Sequence, residues 1–445
     1  MRQAVVGMGL PSRLGRLPGA RFLFGRFARS VLTLMTGTTV SQILPVLIAP
    51  VLTRLYAPDE FGTFAIYAAW CLIIGAAATG RYELAIMLPE SDEEAINLAV
   101  LSAVIALAVS AACLAAILLL GPPLRSLSGT GRVPVWLYLV PATVALASLR
   151  AVATYWLNRR QEYRMIASNR IVQSGASACG QLGFAFFPWG GGLIAGNILG
   201  NGIAAFSLCR RVWKEEKGKK HAVCRRSLLK EAGRYRKFPQ FSVAGGLLNT
   251  ISFQMPAILF SSLYSPVVLG YYAIVERILS LPTLLISTSV ADVFRQRASD
   301  EYRRNGNCRG LLLRSTFSLA LFGLAPFCAL VVFGPAAFFL VFGDKWGNAG
   351  VYARLLAVMF LFRFVFSPMA GTVIQVTERL GIDTIWQSAL LVLSFLSIFT
   401  GYYFFGSVYV SLVLYAAVCS AMYLAAFALA FLFSARSPAR PAGCR

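Results

Sequence analysis

Three arginines lie inside long apolar stretches of the sequence, where a charged side chain needs a polar partner. They are Arg150, Arg277 and Arg363, and the only acid at a comparable depth is Glu276. An ionised Arg near the centre of a membrane helix costs roughly 2.5–3.5 kcal/mol on insertion scales, so such residues usually face a cavity or a partner. A guanidinium group can bind two phosphate oxygens at once. The excess of cations therefore favours an anionic ligand, and a pyrophosphate group matches this chemistry.

A purely structural role for these residues stays open. Each Arg could instead tie helices together through backbone carbonyl groups or through Glu276. Adjacent residues on a helix point about 100° apart, so Glu276 and Arg277 cannot easily share one face. The two residues are therefore expected to face different surroundings.

Other polar residues lie where a gate or a cavity wall is expected. Arg81 and Glu83, in "GRYELAIMLP", follow an apolar run, and they either form part of an inner gate or extend to the membrane surface. Gln42, Asn249 and Gln254 could bind sugar hydroxyls, and they could equally form hydrogen bonds between helices.

The elements that position these residues follow from composition. The chain is 58% hydrophobic and 13% charged, and its mean hydropathy is +0.68, whereas soluble domains carry about a quarter charged residues. Apolar runs of about 20 residues can cross a bilayer, and they must be helical because lipid offers no partner to backbone groups. The sequence thus predicts an all-α integral membrane protein with twelve transmembrane helices. They are Val31–Leu52, Phe61–Gly80, Ala95–Leu120, Pro134–Trp156, Ser168–Phe187, Gly191–Cys209, Phe238–Leu263, Val267–Val290, Leu311–Phe333, Val351–Gln375, Ile385–Phe405 and Val408–Phe433.

The distribution of the 41 Lys and Arg residues predicts the orientation. With both termini inside, 33 of them fall in the inner segments or within four residues of an inner helix end, five in the outer segments or equally close to an outer helix end, and three deeper within helices. Inner loops of membrane proteins carry the excess of Lys and Arg, so both termini are predicted to be cytoplasmic. The net charge of +23 is therefore mostly a topology signal, and it does not indicate nucleic acid binding. The basic loops also favour contact with anionic membrane lipids.

The domain organisation follows from the longest polar stretch, which divides the helices six and six. The predicted parts are a basic cytoplasmic segment (1–29), an N-terminal six-helix bundle (30–209), a basic cytoplasmic loop (210–237), a C-terminal six-helix bundle (238–433) and a cytoplasmic tail (434–445).

One phrase occurs in both halves. "LYAPDEFGTFAI" begins at Leu55 and "LYSPVVLGYYAI" begins at Leu263, with six identities in twelve positions. Both copies lie at the outer turn of the first helix pair of their half. Two halves of parallel topology predict a pseudo-twofold axis along the membrane normal. The Gly of each copy is expected to allow close helix approach, and the Tyr is expected at the membrane interface.

Longer segments resemble a known family. "GTTVSQILPVLIAPVLTRLYAPDEFGTFAIYAA", "RYELAIMLPESDEEAINL" and "RYRKFPQFSVAGGLLNTISFQMPAILFSSLYSPVVLGYYAIVERILSLP" resemble the polysaccharide (Wzx-type) flippases. These belong to the multidrug/oligosaccharidyl-lipid/polysaccharide (MOP) exporter superfamily. The resemblance extends from about Ser30 to Phe433, and it does not specify a substrate.

The resemblance implies transfer of oligosaccharides, usually linked to undecaprenyl pyrophosphate, across the bacterial inner membrane. Such units serve the synthesis of O antigen of lipopolysaccharide, capsule or exopolysaccharide, and polysaccharide polymerase machinery is a possible partner. In that reading Arg277, Arg150 and Arg363 bind the pyrophosphate, while Gln42, Asn249 and Gln254 contact sugars. Arg81, Glu83 and Glu276 are candidates for gating or ion coupling.

Motifs that the sequence lacks narrow the alternatives. It contains no GxxxxGK[ST] phosphate loop, no HExxH and no CxxC pair. We therefore expect no enzyme activity, no cofactor and no metal site.

One alternative is a cation or multidrug antiporter of the same superfamily, which would favour acids in its cavity. A membrane-embedded glycosyl or acyl transferase would need catalytic residues in the outer loops. A flippase for a peptidoglycan precursor is a third alternative, and such relatives usually have additional helices.

Overall fold

The computed structural model describes residues 35–121, 134–186, 191–215 and 224–435. Long helices dominate this part of the chain, and we number its transmembrane helices α1 to α12. The first six are α1 Met35–Leu55, α2 Pro58–Ala78, α3 Asp92–Leu119, α4 Val135–Arg159, α5 Tyr163–Phe184 and α6 Gly192–Glu215. The second six are α7 Phe238–Tyr264, α8 Pro266–Ser287, α9 Arg309–Phe342, α10 Gly347–Val376, α11 Leu380–Phe405 and α12 Val408–Phe433.

Eleven of the described helices are long and apolar enough to cross a membrane. The remaining long helix is α5, whose sequence includes Arg164, Arg170, Gln173 and Gln181 and which is therefore more polar than the others. With α5 counted, the predicted all-α fold with twelve spans in two six-helix bundles is confirmed.

The ends of several helices differ from the prediction. Helix α9 continues to Phe342, nine residues past its predicted end at Phe333. Helix α8 contains a π-helical turn at Thr283–Ser287 and leads into a further helix, Thr288–Asn305, which we call the α8 extension. A shorter helix, Arg225–Arg234, lies in the predicted inter-bundle loop, and we call it the linker helix. The boundaries differ because hydropathy marks the length needed to cross the bilayer, whereas a helix can continue beyond the lipid.

The repeated phrase packs against itself where the two halves meet. We call the end of the bundles that carries the α1–α2 and α7–α8 turns the outer end, following the orientation predicted from Lys and Arg. There, α2 and α8 cross in backbone contact. A Cβ atom added to Gly62 would overlap the carbonyl group of Pro266, and one added to Gly270 would overlap the carbonyl group of Pro58. The expected role of both glycines in close helix approach is therefore confirmed, and the contact joins the two halves.

The tyrosines of the phrase fix each turn to its own bundle. The Tyr56 hydroxyl donates a hydrogen bond of 2.6 Å to the Gln181 carbonyl of α5. The Tyr264 hydroxyl lies 2.6 Å from Ser411 Oγ of α12 and donates to the Ser407 carbonyl at 3.2 Å. Only 3% of Tyr56 is exposed. Its side chain is therefore packed within the protein, and the expected position of the tyrosines at the level of the membrane interface stays a prediction.

A side-chain contact adds to the backbone contact between the two halves at the outer end. The Trp346 indole donates a hydrogen bond of 2.8 Å to the Thr53 carbonyl at the end of α1. Its ring lies edge-on to Phe61 of α2, with centroids 4.9 Å apart. Trp346 is fully buried. The second half therefore holds both helices of the first hairpin at this end.

A methyl group added at Gly62 tests the backbone contact. We expect Gly62→Ala to separate the outer ends of α2 and α8, because overpacking in such a contact costs about 1–3 kcal/mol. Spin labels attached at Asp59 and Val267, followed by pulsed electron resonance, measure this distance. Gly75→Ala in the same helix is the control, since a Cβ atom there meets no atom within 4 Å. An unchanged distance distribution in Gly62→Ala would contradict the expected role of the crossing.

Candidate binding cavity

Three arginines line one cavity of about 460 Å³. Arg150 comes from α4, Arg170 from α5 and Arg277 from α8. Among the described lining residues, Arg277 alone comes from the second half, and the others belong to the N-terminal bundle. The other lining residues are Thr38, Ser41, Gln42 and Pro45 of α1, Phe64 of α2, Gln173, Ser174, Ser177, Ala178 and Gln181 of α5, and Asn197 of α6.

Arg150 and Arg170 interact as like charges on the same side of the cavity. One nitrogen of the Arg170 guanidinium group donates a hydrogen bond to the Thr38 hydroxyl of α1. Arg150 has an unsatisfied donor, because its Nε is buried and has no hydrogen-bond partner among the described residues. A buried donor without a partner is costly, and a bound anion would provide one. Arg170 is also the charged group that acts electrostatically on Arg150.

Arg277 reaches the cavity because of its register on α8. It lies seven residues after Gly270, so it is about 10 Å deeper along the helix than the crossing of α2 and α8. No hydrogen bond or ion pair to another described residue holds its guanidinium group. The neighbouring Glu276 instead interacts electrostatically with Arg363 and Tyr272 of the second half. Glu276 and Arg277 thus face different surroundings, as their spacing predicted.

Arg363 does not line this cavity. Its guanidinium carbon lies 5.3 Å from the ring centroid of Phe253 and 5.9 Å from that of Phe360. Such positions over aromatic faces are favourable for a cation. Together with Glu276, these rings give Arg363 partners within the C-terminal bundle, so its surroundings are those of a residue that ties helices together.

The three predicted sugar-binding residues are not brought together. Gln42 lines the cationic cavity. Asn249 lines a second, smaller space of about 170 Å³ in the C-terminal bundle, near Asp383 and Gln387. Gln254 is half-buried on α7, and it is not among the described lining residues of either space.

Sequence reasoning missed the polar face of α5. Arg170 is not among the predicted site residues, although it lies inside the predicted span Ser168–Phe187 and lines the cavity. The signal was present in the spacing, because residues 170, 173, 174, 177 and 181 recur at intervals of three and four and so lie on one helix face. This face supplies five polar side chains to the cavity. They are Arg170, Gln173, Ser174, Ser177 and Gln181.

Arg81 and Glu83 lie at a contact between the halves at the other end of α2. The Arg81 backbone is left-handed, with φ of 60°, which is uncommon for a residue other than Gly. Its guanidinium group packs directly against Gly246 of α7. Glu83 is 6% exposed, and one of its carboxylate oxygens has no hydrogen-bond partner in the described protein. The adjacent Tyr82 hydroxyl donates to the Ala232 carbonyl of the linker helix at 3.0 Å.

The cavity is cationic as a whole. Its described lining includes three arginines and no Asp or Glu. Within the described chain, no group of three or more His, Cys, Asp or Glu residues could hold a metal ion. The site can therefore attract an anion through guanidinium groups and bind neutral polar groups through the amides and hydroxyls of α1, α5 and α6.

The arrangement of helices is similar to that of several solved membrane transporters. The TM-score is 0.67 with the lipid II flippase MurJ in an inward closed conformation, at 13% identity over 91% of this chain and 90% of that one. It is 0.66 with the inward-facing conformation of a multidrug resistance MATE family transporter of the MOP superfamily, at 15% identity over 88% and 93%. An outward-facing MATE family structure gives 0.55 at 15% identity over 91% and 94%. At such identities the likeness defines the fold alone.

The family follows from the sequence match. Residues 51–351 match the family model described as polysaccharide biosynthesis protein, and the chain belongs to this family. A curated relative is the teichuronic acid biosynthesis protein TuaB of Bacillus subtilis (strain 168), 29% identical over 163 residues. That match covers 36% of this chain and only 33% of the relative. Together with the fold, the family match confirms the resemblance drawn from the sequence.

Substitution by methionine distinguishes the two buried arginines. Arg363→Met removes a cation that lies over the rings of Phe253 and Phe360 and acts electrostatically on Glu276, and cation–π contacts of this kind contribute about 0.5–2 kcal/mol. We therefore expect a lower apparent melting temperature in detergent. Arg277→Met removes a cation that has no protein partner, so we expect an unchanged or higher melting temperature. Equal destabilisation by both changes would contradict the different surroundings of the two residues.

Proposed function

We propose that the protein is a flippase for oligosaccharides linked to a polyprenyl pyrophosphate, such as undecaprenyl pyrophosphate. The observation that carries the proposal is the cavity wall with three guanidinium groups and, among its described residues, no carboxylate. Attraction between a guanidinium group and a phosphate is stronger in a cavity of low dielectric than in water. Membership of a polysaccharide biosynthesis family supports this substrate class.

Each part of the cavity has a role in this proposal. Arg150 and Arg277 bind the pyrophosphate from opposite halves, and a phosphate oxygen accepts the unpaired hydrogen of Arg150 Nε. Arg170 is a third cation at the same site. Gln42 and the amides and hydroxyls of α5 hydrogen-bond to the sugar.

The remaining predicted residues lie outside this headgroup site. Contact of Arg363, Asn249 or Gln254 with the substrate requires a conformation other than the one described, and their roles stay predictions. Arg81 is proposed as part of an inner gate, because its contact with Gly246 must break when the halves separate at that end. Glu276 stays the candidate for coupling to a proton or sodium gradient.

We further propose that the protein spans the bacterial inner membrane with both termini in the cytoplasm. The substrate then moves outward for the synthesis of a surface polysaccharide such as O antigen, capsule or exopolysaccharide. An anionic headgroup moving outward descends an inside-negative potential, and this contributes about 2.3 kcal/mol per charge at 100 mV.

A flipping assay with purified protein in vesicles tests the function. The substrate is an undecaprenyl-pyrophosphate-linked oligosaccharide, and the variants are Arg277→Ala, Arg277→Lys and Arg150→Ala. We expect at least about a hundredfold loss of rate for each alanine variant, which corresponds to about 2.7 kcal/mol. Arg277→Lys is expected to be impaired as well, because an ammonium group does not bind two oxygens in one plane. Arg354→Ala is the control, since Arg354 is exposed and donates to the Val332 carbonyl.

The outcomes separate the candidate functions. Normal flipping by Arg277→Ala would remove Arg277 from the substrate site and leave the flippase itself in place. The resemblance to the MATE fold supports a cation or multidrug antiporter as the second candidate. Wild-type protein that moves no lipid-linked oligosaccharide but exports a cationic dye would establish that candidate instead.

The membrane potential provides a separate test of the driving force. We expect an inside-negative potassium diffusion potential to accelerate outward flipping, with a dependence that reverses when the sign of the potential is reversed. Vesicles with equal potassium on both sides are the control. A rate that responds to neither the potential nor a proton or sodium gradient would contradict both proposed driving forces.

A further inference from the structure

A second cavity of about 770 Å³ lies in the N-terminal bundle, and its wall is almost entirely apolar. It lies between the first turns of α4 and α6, beside the end of α5, and we call it the apolar crevice. Trp136 and Leu139 of α4 and Ile194 and Ile198 of α6 are part of its wall. Its described lining includes no charged residue. Ligand sites for apolar groups commonly have about 300–1,000 Å³ and this kind of wall.

The crevice and the cationic cavity share four helices, α2, α4, α5 and α6, and on three of these the residues of the two walls are adjacent or one turn apart. On α2, Thr63 faces the crevice while the next residue, Phe64, faces the cavity. On α5, Phe184 of the crevice follows Gln181 of the cavity by one turn. On α6, the cavity residue Asn197 is adjacent to Ile198 of the crevice. The two spaces therefore lie on adjoining faces of the same helices, a short distance apart for an amphiphilic molecule.

The crevice opens towards the surroundings of the protein. Val135 at one side is 77% exposed and Leu199 at the other is 41% exposed. Both lie on helices long enough to span a membrane, so we expect their exposed surface to face lipid. A long hydrocarbon chain can thus be partly in the crevice and partly in the bilayer, and it needs no closed pocket of its own length.

We propose that the apolar crevice holds part of the polyprenyl tail of the same lipid whose pyrophosphate occupies the cationic cavity. This inference rests on the proposed function, because the cavity identifies the occupant as an amphiphile with an anionic headgroup. An ordinary phospholipid chain would also fit the apolar wall, and competition by excess phospholipid distinguishes the two occupants.

The position of the crevice gives an order of events. Leu139 lies eleven residues before Arg150 on α4, which places the crevice about 16 Å closer to the outer end than the guanidinium group that binds the headgroup. When the headgroup is in the cavity, the first part of the tail is already at the level of the outer leaflet. The tail therefore reorients before the headgroup has crossed.

Binding measurements in lipid nanodiscs test the proposal with two ligands. One is the undecaprenyl-pyrophosphate-linked oligosaccharide, and the other is the same headgroup with a methyl group in place of the tail. Ala195→Phe fills the crevice, and Ala108→Phe, on an exposed face of α3, is the matched control. We expect Ala195→Phe to weaken binding of the full lipid about tenfold, equivalent to about 1.4 kcal/mol. Binding of the methyl analogue is expected to stay unchanged, and the control is expected to change neither.

Several results would overturn the inference. They are equal affinity of wild-type protein for the two ligands, equal affinity of Ala195→Phe and wild type for the full lipid, or loss of methyl-analogue binding in Ala195→Phe. In each case the flippase proposal survives, whereas wild-type protein that binds neither ligand would remove the proposed function itself.

A photoreactive group on the tail gives a second, independent measurement with wild-type protein. Crosslinks on the first turns of α4 and α6 are expected. Crosslinks confined to other helices, or their loss in excess phospholipid, would show that the crevice is not a site for the substrate tail.

Discussion

The backbone contact between α2 and α8 determines how the two halves meet. Gly62 and Gly270 each lie against the carbonyl group of the proline in the other copy of the phrase, so no side chain separates the helices. This close approach positions α8 beside the N-terminal bundle. As a result, Arg277 lies in a cavity whose remaining described wall comes from the first half. The same helix directs Glu276 towards Arg363 in the second half.

The charges of the cavity depend on that geometry. Arg150 and Arg170 belong to the first half and Arg277 to the second, so an anion that contacts Arg150 and Arg277 bridges the halves. Three cations in a membrane-embedded space repel one another, and this repulsion favours separation of the halves unless an anion is present. The polar face of α5 then has a clear physical reason, since a helix that borders such a space needs groups that interact with charge and with water.

Much of this arrangement could be predicted from the sequence, and the limits have physical causes. Hydropathy identified each span because the bilayer requires about 20 apolar residues, but it could not locate the end of α9 or the α8 extension. It also left Arg170 out of the candidate site, because this residue lies only two positions inside the predicted span Ser168–Phe187 and follows a basic connection. Arg150 and Arg363 looked equivalent, since both interrupt apolar runs. Only the tertiary structure distinguishes them, by the aromatic rings and the carboxylate that surround Arg363.

The crossing at Gly62 and Gly270 is self-complementary. Each copy of the phrase presents a Pro carbonyl and a Gly with the same spacing, and each receives the same two groups from the other copy. Contacts of this kind join identical subunits in twofold symmetric dimers. A single six-helix unit bearing the phrase could thus pair with a second copy of itself before any duplication joined the two in one chain. After such a fusion the surroundings of Arg150 in one half and of Arg363 in the other could diverge, while the contact between the two copies restrained change at its own positions.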